Sequence, residues 1–254
     1  ALLRRGEAED RGRGDERGEV VVVHGAQHHG SRAELLRERR GAGVDEAVGD
    51  AFVVAQGRRH PPGGGFAALQ RRLGTTTVYV THDQTEAMTL SSKVALLNDG
   101  YLQQLDSPDR IYNHPANRFV AGFVGSPQMN LLTLPCKGRS AMLGDFQIPL
   151  PDLPTVPPEI ILGIRPENVG IARPGDTSFV RGRVNVVENL GMNYLVSTRV
   201  ESHSTSTQIV RALLPTDRRW NEEEEIALTL PPQHLHWFDV QSGDALIGRQ
   251  MAGV

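Results

Sequence analysis

Five short apolar runs set the strongest limit on this fold: Ile160 to Ile164, Val180 to Glu188, Tyr194 to Val200, Gln208 to Leu214 and Glu225 to Leu230. They are evenly spaced, rich in β-branched residues, and separated by Pro, Gly and polar residues, with no long helical period among them. Strands of this length at this spacing close into a small barrel or sandwich. The chain is therefore predicted to be all-β beyond a boundary near Met129.

Upstream of that boundary the pattern is mixed. Phe66 to Gly74 reads as the end of an amphipathic helix stopped by Gly74, and Thr75 to Val80 reads as a buried strand. A helix is predicted from Gln84 to Leu90, then strands at Lys93 to Leu97 and Tyr101 to Leu105 joined by the turn Asn98-Asp99-Gly100. Ser107 caps a helix opened by Pro108, and Pro115 is expected to open another that carries Phe119, Val120, Phe123 and Val124.

Residues 1 to 65 have a different vocabulary, with no Lys, Ile, Asn, Thr, Tyr, Trp, Met or Cys. Apart from a short helical patch around Ser31 to Arg40, no period is sustained there. Two readings stand: a largely disordered leader, or a segment translated out of frame from GC-rich DNA. An arginine-rich nucleic-acid arm is disfavoured, because 11 Arg are balanced by 11 Asp plus Glu. Ala1 rather than methionine stands first, which is read as a start inside a longer frame.

The totals narrow the class further. A chain of 254 residues with 39% hydrophobic content has room for two compact units. A formal charge of −3 gives no bulk reason to expect nucleic acid as a partner. The single Cys136 can form no internal disulfide, and nothing beside it has metal-ligand spacing, so no metal site is predicted. No run reaches the roughly 18 to 20 apolar residues of a membrane-spanning helix, so membrane association is expected to go through a protein partner.

The segment Thr77-Val78-Tyr79-Val80-Thr81-His82-Asp83-Gln84-Thr85-Glu86-Ala87-Met88 resembles the switch-histidine segment of ABC-type ATPases, in the form found in maltose-type carbohydrate importers. The following text is similar to the same family in order: Asn98-Asp99-Gly100, Ser107-Pro108 and Gly125-Ser126-Pro127-Gln128-Met129-Asn130. The tail resembles that group's regulatory domain in Gly163-Ile164-Arg165-Pro166-Glu167, Val187-Glu188-Asn189-Leu190-Gly191 and His236-Trp237-Phe238-Asp239. It departs from the family at Met192-Asn193, where a small residue and an acid are usual, which leaves the loop contacts there undefined.

The resemblance implies an α/β remnant of an ABC-type nucleotide-binding domain over residues 66–129, an OB-type regulatory barrel over 130–254, and an atypical segment over 1–65. It implies a transport ATPase using ATP and magnesium. Its partners would be a second copy of itself and two permease subunits, with an extracytoplasmic solute-binding protein engaged indirectly. Its place would be the cytoplasmic face of the bacterial cytoplasmic membrane, as a peripheral subunit.

The one catalytic and nucleotide-binding residue expected is His82. A histidine directly after a strand of an open α/β sheet emerges at the carboxyl end, where such sheets bind ligands. From there an imidazole can contact a γ-phosphate and orient the attacking water. Asp83 suits the start of the next helix, and Glu86 is expected to face solvent.

Phosphate binding needs more than this histidine. A Gly-x-x-x-x-Gly-Lys-Ser/Thr loop is absent, and the two lysines, Lys93 and Lys137, stand in other contexts. The Ser-Gly-Gly signature and the apolar strand ending in Asp-Glu are also absent, so this chain alone is expected neither to bind nor to hydrolyse ATP. Rival readings are a stand-alone regulatory binding module, an ATPase subunit for polyamine, iron or glycerol phosphate uptake, and an inactive truncated product. In the tail, Arg165 is read as an anion ligand or as part of a turn with a local ion pair. Trp237 and Phe238 are read as barrel plugs rather than a sugar platform, and Glu222 to Glu225 as a solvated loop.

Overall fold

The computed structural model describes residues 51–56, 77–81, 83–200 and 207–246. The chain divides into two compact units, Ala1–Pro115 and Ala116–Val254.

In the first unit, β1 (Ala51–Gln56), β2 (Thr77–Thr81), β3 (Lys93–Asn98) and β4 (Tyr101–Asp106) form one sheet in the order β2-β1-β3-β4. Every pairing in it is antiparallel, with Val53 opposite both Val80 and Ala95. Strand β1 lies inside the segment for which the sequence suggests no regular structure. Its apolar stretch Ala51-Phe52-Val53-Val54 is too short to show alternation, and main-chain pairing on both sides defines it. Strand β2, predicted as buried, stands at the sheet edge, with β1 as its only partner among the described strands.

Strand β3 is covered on both faces. Val94, Ala95, Leu96 and Leu97 are all buried, as a continuous apolar run requires, because neither face can be left to water. The β3–β4 hairpin turns at Asp99 and Gly100, both at positive φ, the conformation that suits the right-handed twist of paired strands. Helix α1 (Gln84–Leu90) buries Ala87, and α2 (Pro108–Asn113) buries Ile111. The Ser107 hydroxyl accepts from the Arg110 amide at 3.3 Å, the predicted cap.

The second unit opens with α3 (Arg118–Phe123) and is otherwise β. Its strands are β5 (Asn130–Lys137), β6 (Ser140–Leu143), β7 (Phe146–Pro149), β8 (Glu159–Ile164), β9 (Gly170–Ile171), β10 (Val180–Asn189), β11 (Asn193–Val200), β12 (Gln208–Pro215), β13 (Glu225–Thr229) and β14 (His236–Phe238). They form two five-stranded antiparallel sheets, β12-β11-β10-β13-β9 and β14-β8-β5-β6-β7. One apolar core joins them. Leu132, Leu134, Ile160, Leu162 and Ile164 of one sheet pack with Val184, Val196, Val210 and Leu228 of the other. Alternation puts Ile161 on the opposite face of β8, where it packs with Ala121, Met129 and Phe238, so α3 covers the outer side of that sheet.

Asn130 couples the two sheets. Its Nδ2 donates to the Ile164 carbonyl at 3.1 Å and to the Arg211 carbonyl at 2.8 Å, while its Oδ1 accepts from the Arg211 amide at 2.8 Å. A buried amide with these partners has no unmet polar group to penalise burial.

Candidate functional site

The candidate site is the junction between β2 and α1. His82, the predicted phosphate contact, lies outside the described residues, and the geometry on view is that of its neighbours. Thr81 is buried, and its hydroxyl donates to Glu86 Oε2 at 2.8 Å and accepts from the Asp83 amide at 3.0 Å. Asp83 is the cap of α1, its Oδ1 accepting from Thr85 N at 2.7 Å and Glu86 N at 3.2 Å. The Ala87 amide reaches the Asp83 carbonyl at 3.0 Å and closes the first turn.

These bonds fix the residues on either side of position 82. The hydroxyl of Thr81 spans from the strand end to the first turn of the helix, and the Asp83 carboxylate meets amides that the helix leaves unpaired. Glu86 was expected to face solvent. It is half-buried instead and held by Thr81, a partner five residues back whose role as donor no spacing rule announces.

The same bonds bear on magnesium. Asp83 is committed to capping and Glu86 to Thr81, and among the described residues no three His, Cys, Asp or Glu side chains converge to hold a metal ion. The described residues do not fit a magnesium site, and no chemical step is assigned to one here.

The predicted sites of the tail resolve differently. Arg165 is 2% exposed, and its Nη1 donates to the Val124 carbonyl at 2.8 Å, so its guanidinium braces main chain inside the unit. Pro166–Asn168 form a single 3-10 turn after it. Trp237 lies in the shared core and Phe238 packs against Ile161 and Met129, which leaves neither ring as an open platform. The run Glu222 to Glu225 is solvated as expected, with Glu222, Glu223 and Glu225 exposed. Three of its members pair with arginines: Glu223 with Arg199, Glu224 with Arg218, and Glu225 with Arg183. Arginines from β10 and β11 relieve the repulsion that adjacent carboxylates would otherwise suffer.

Comparison with known proteins bears on both units. Residues 125–169 match the MalK OB fold domain, and residues 162–238 match the TOBE domain. The chain is 41% identical over 193 residues to the trehalose/maltose import ATP-binding protein MalK of Thermococcus litoralis, covering 70% of this chain and 50% of that protein. It is 40% identical over 189 residues to the xylose/arabinose import ATP-binding protein XacK of Haloferax volcanii, covering 72% of this chain and 49% of the relative. A third relative, the sn-glycerol-3-phosphate import ATP-binding protein UgpC of a Jannaschia species, is 39% identical over 180 residues, covering 70% and 49%. The chain spans about half the length of the curated relatives it matches. The two-sheet unit is thus of the OB type, and the chain corresponds to the C-terminal part of the ATP-binding subunits of the MalK-type ABC importers.

Proposed function

We propose that this chain supplies the switch-histidine segment and the regulatory domain of an ABC importer's ATP-binding subunit, with carbohydrate as the transported class. The observation that carries the reading is a single chain order: a strand, a Thr-His-Asp junction and a capped helix precede an OB-type unit. Residues 66–129 are read as the end of the ATPase domain and 130–254 as the regulatory domain. The trehalose/maltose and xylose/arabinose relatives carry sugars in their printed names, which supports carbohydrate, and the sn-glycerol-3-phosphate relatives support glycerol phosphate as the second reading.

In the proposed role, Thr81 and Asp83 hold the main chain on both sides of His82, and the imidazole contacts the γ-phosphate of ATP. Phosphoryl transfer is chiefly positioning, so a histidine between two anchored residues loses little freedom on meeting its target. The phosphate-cradling loop is not among these 254 residues, and the chain by itself neither binds nor hydrolyses ATP. The subunit works as a homodimer against two permeases on the cytoplasmic face of the membrane, with a solute-binding protein beyond them. Attachment is proposed to be through the permeases; among the described residues no helix is long and apolar enough to cross a membrane.

Three measurements test this. When the chain is expressed with and without a maltose-type permease pair, it should sediment with membranes only in their presence and be released by urea; its staying soluble in both would count against the reading. Equilibrium dialysis of the purified chain with magnesium ATP should show no saturable uptake, and tight magnesium-dependent binding would overturn the inactive state. In a full-length importer subunit that carries this switch-histidine segment behind an intact phosphate-cradling loop, His82→Ala should lower ATP turnover by roughly 100-fold with nucleotide affinity retained.

A further inference from the structure

The second unit holds a cleft of about 830 Å³ lined by Phe146 of β7 and by Phe179, Arg181, Arg183, Arg199 and Glu225. Strand pairing sets Arg183 directly opposite Arg199, an arrangement of like charges that by itself destabilises a sheet. Two glutamates offset it. Glu225 Oε1 lies 2.8 Å from Arg183 Nη2, and both Glu223 oxygens lie 3.0 Å from Arg199 Nη2. Glu223 does this from φ +62, a left-handed conformation uncommon for a residue with a side chain.

Arg181 differs from its two neighbours. Ala227 stands opposite it, its guanidinium carbon lies 5.4 Å from the centre of the Phe179 ring, and no carboxylate among the described residues pairs with it. Stacking on an aromatic face orients a guanidinium while leaving its N–H donors available. Of the carboxylates on the cleft wall, Glu225 is bonded to Arg183 and Asp145 has an interaction of its own. The cleft therefore combines one oriented cationic fork, two arginines already paired with glutamates, and the side chains of Phe146 and Phe179.

We propose that this cleft binds a small oxyanion carried on a planar ring, the oxyanion meeting the Arg181 fork and the ring lying between the phenylalanines. A fork of parallel N–H groups matches two oxygens of a phosphate or carboxylate, and the ring recovers apolar area that water would otherwise cover. This site needs neither nucleotide nor permease, so its test is independent of the transport reading.

The probes are phenyl phosphate and benzoate, which share the design but differ in their oxyanion, with inorganic phosphate and phenol as the separated halves. Calorimetric titration of the whole chain at low salt should show saturable binding of at least one of the first two, and binding about ten-fold weaker or none for either half. Arg181→Gln should weaken the bound probe roughly ten-fold, and Arg181→Lys, which keeps the charge and loses the fork, about five-fold. Arg139→Gln, on the β5–β6 turn, should leave it unchanged, with circular dichroism confirming the fold of each variant. Absence of binding to both ring probes, equal binding of inorganic phosphate, or indifference to both Arg181 substitutions would overturn the proposal.

Discussion

The guanidinium of Arg165 donates through Nη1 to the carbonyl of Val124 at 2.8 Å, forty-one residues back in the chain. Val124 is the C-terminal cap of α3, and Arg165 immediately follows β8, so the bond ties a helix end with unpaired carbonyls to the strand that the helix covers. Arg165→Met keeps the apolar stem and removes the donors, which leaves a buried carbonyl without this partner. The expected cost is about 2–3 kcal/mol, read as a lower urea midpoint at unchanged slope. Retention of the midpoint would show that the contact is incidental.

Asn130 makes a comparable link between the two sheets. Replacing it with Ala strands the Arg211 amide and two carbonyls in a region where the residue itself is 2% exposed. The expected loss is about 2–4 kcal/mol. Asn130→Asp is the sharper test, because an ionised carboxylate can still accept from the Arg211 amide but cannot donate to either carbonyl. It should be no better tolerated than Ala at neutral pH, and recovery of full stability would refute the donor role.

Gly163 is required by closeness of packing. A Cβ there would lie 2.8 Å from Met129 Sδ and 2.9 Å from the Phe238 ring, both in the small cluster beneath α3. Gly163→Ala should therefore destabilise by about 1–3 kcal/mol through overpacking. Combining it with Met129→Ala, which opens the same space, should cost less than the sum of the two single variants. Strict additivity would show that the methyl group meets no resistance from Met129.

The pattern of what could be read from sequence follows from how far apart the partners lie. The five runs from Ile160 to Leu230, the Asp99-Gly100 turn and the Ser107 cap depend on local period and local chemistry, and each appears within a residue or two of its expected place. Strands β6 and β7 are four residues each and β14 is three, too short to show alternation, and β5 contains Pro135. Helix α3 begins at Arg118 rather than at Pro115, because Asn117 is the better cap and its Oδ1 accepts from the Val120 amide at 2.9 Å. That helix packs on β8, and the compact division of the chain falls before it, at Pro115.

Distance also explains the partners that no local pattern announces: Glu223 and Glu225 find Arg199 and Arg183 from 24 and 42 residues away, and Arg165 reaches the Val124 carbonyl across 41. At the β2–α1 junction the sequence showed the Asp83 cap and missed the Thr81–Glu86 bond. The cleft beside Arg181 was equally invisible, because its walls come from β7, β10, β11 and β13.

Cys136 offers a pH-dependent readout at one position, since the chain has no other thiol. Partial burial raises its pKa, and the Glu159 carboxylate adds a smaller rise, both by disfavouring the thiolate. Because the thiolate is the nucleophile, alkylation by iodoacetamide should be slower than for a free thiol at the same pH, with a midpoint above the usual value of about 8.5. Glu159→Gln should move that midpoint down only part of the way, because desolvation is the larger cause. The stability consequence has a definite sign. A group whose folded pKa is raised favours folding fully below its unfolded pKa, and that contribution disappears as pH climbs through the folded value. Relative to Cys136→Ser, the native chain should therefore lose urea resistance across the alkaline range, and a thiol midpoint at or below that of free cysteine would refute both the burial and the sign.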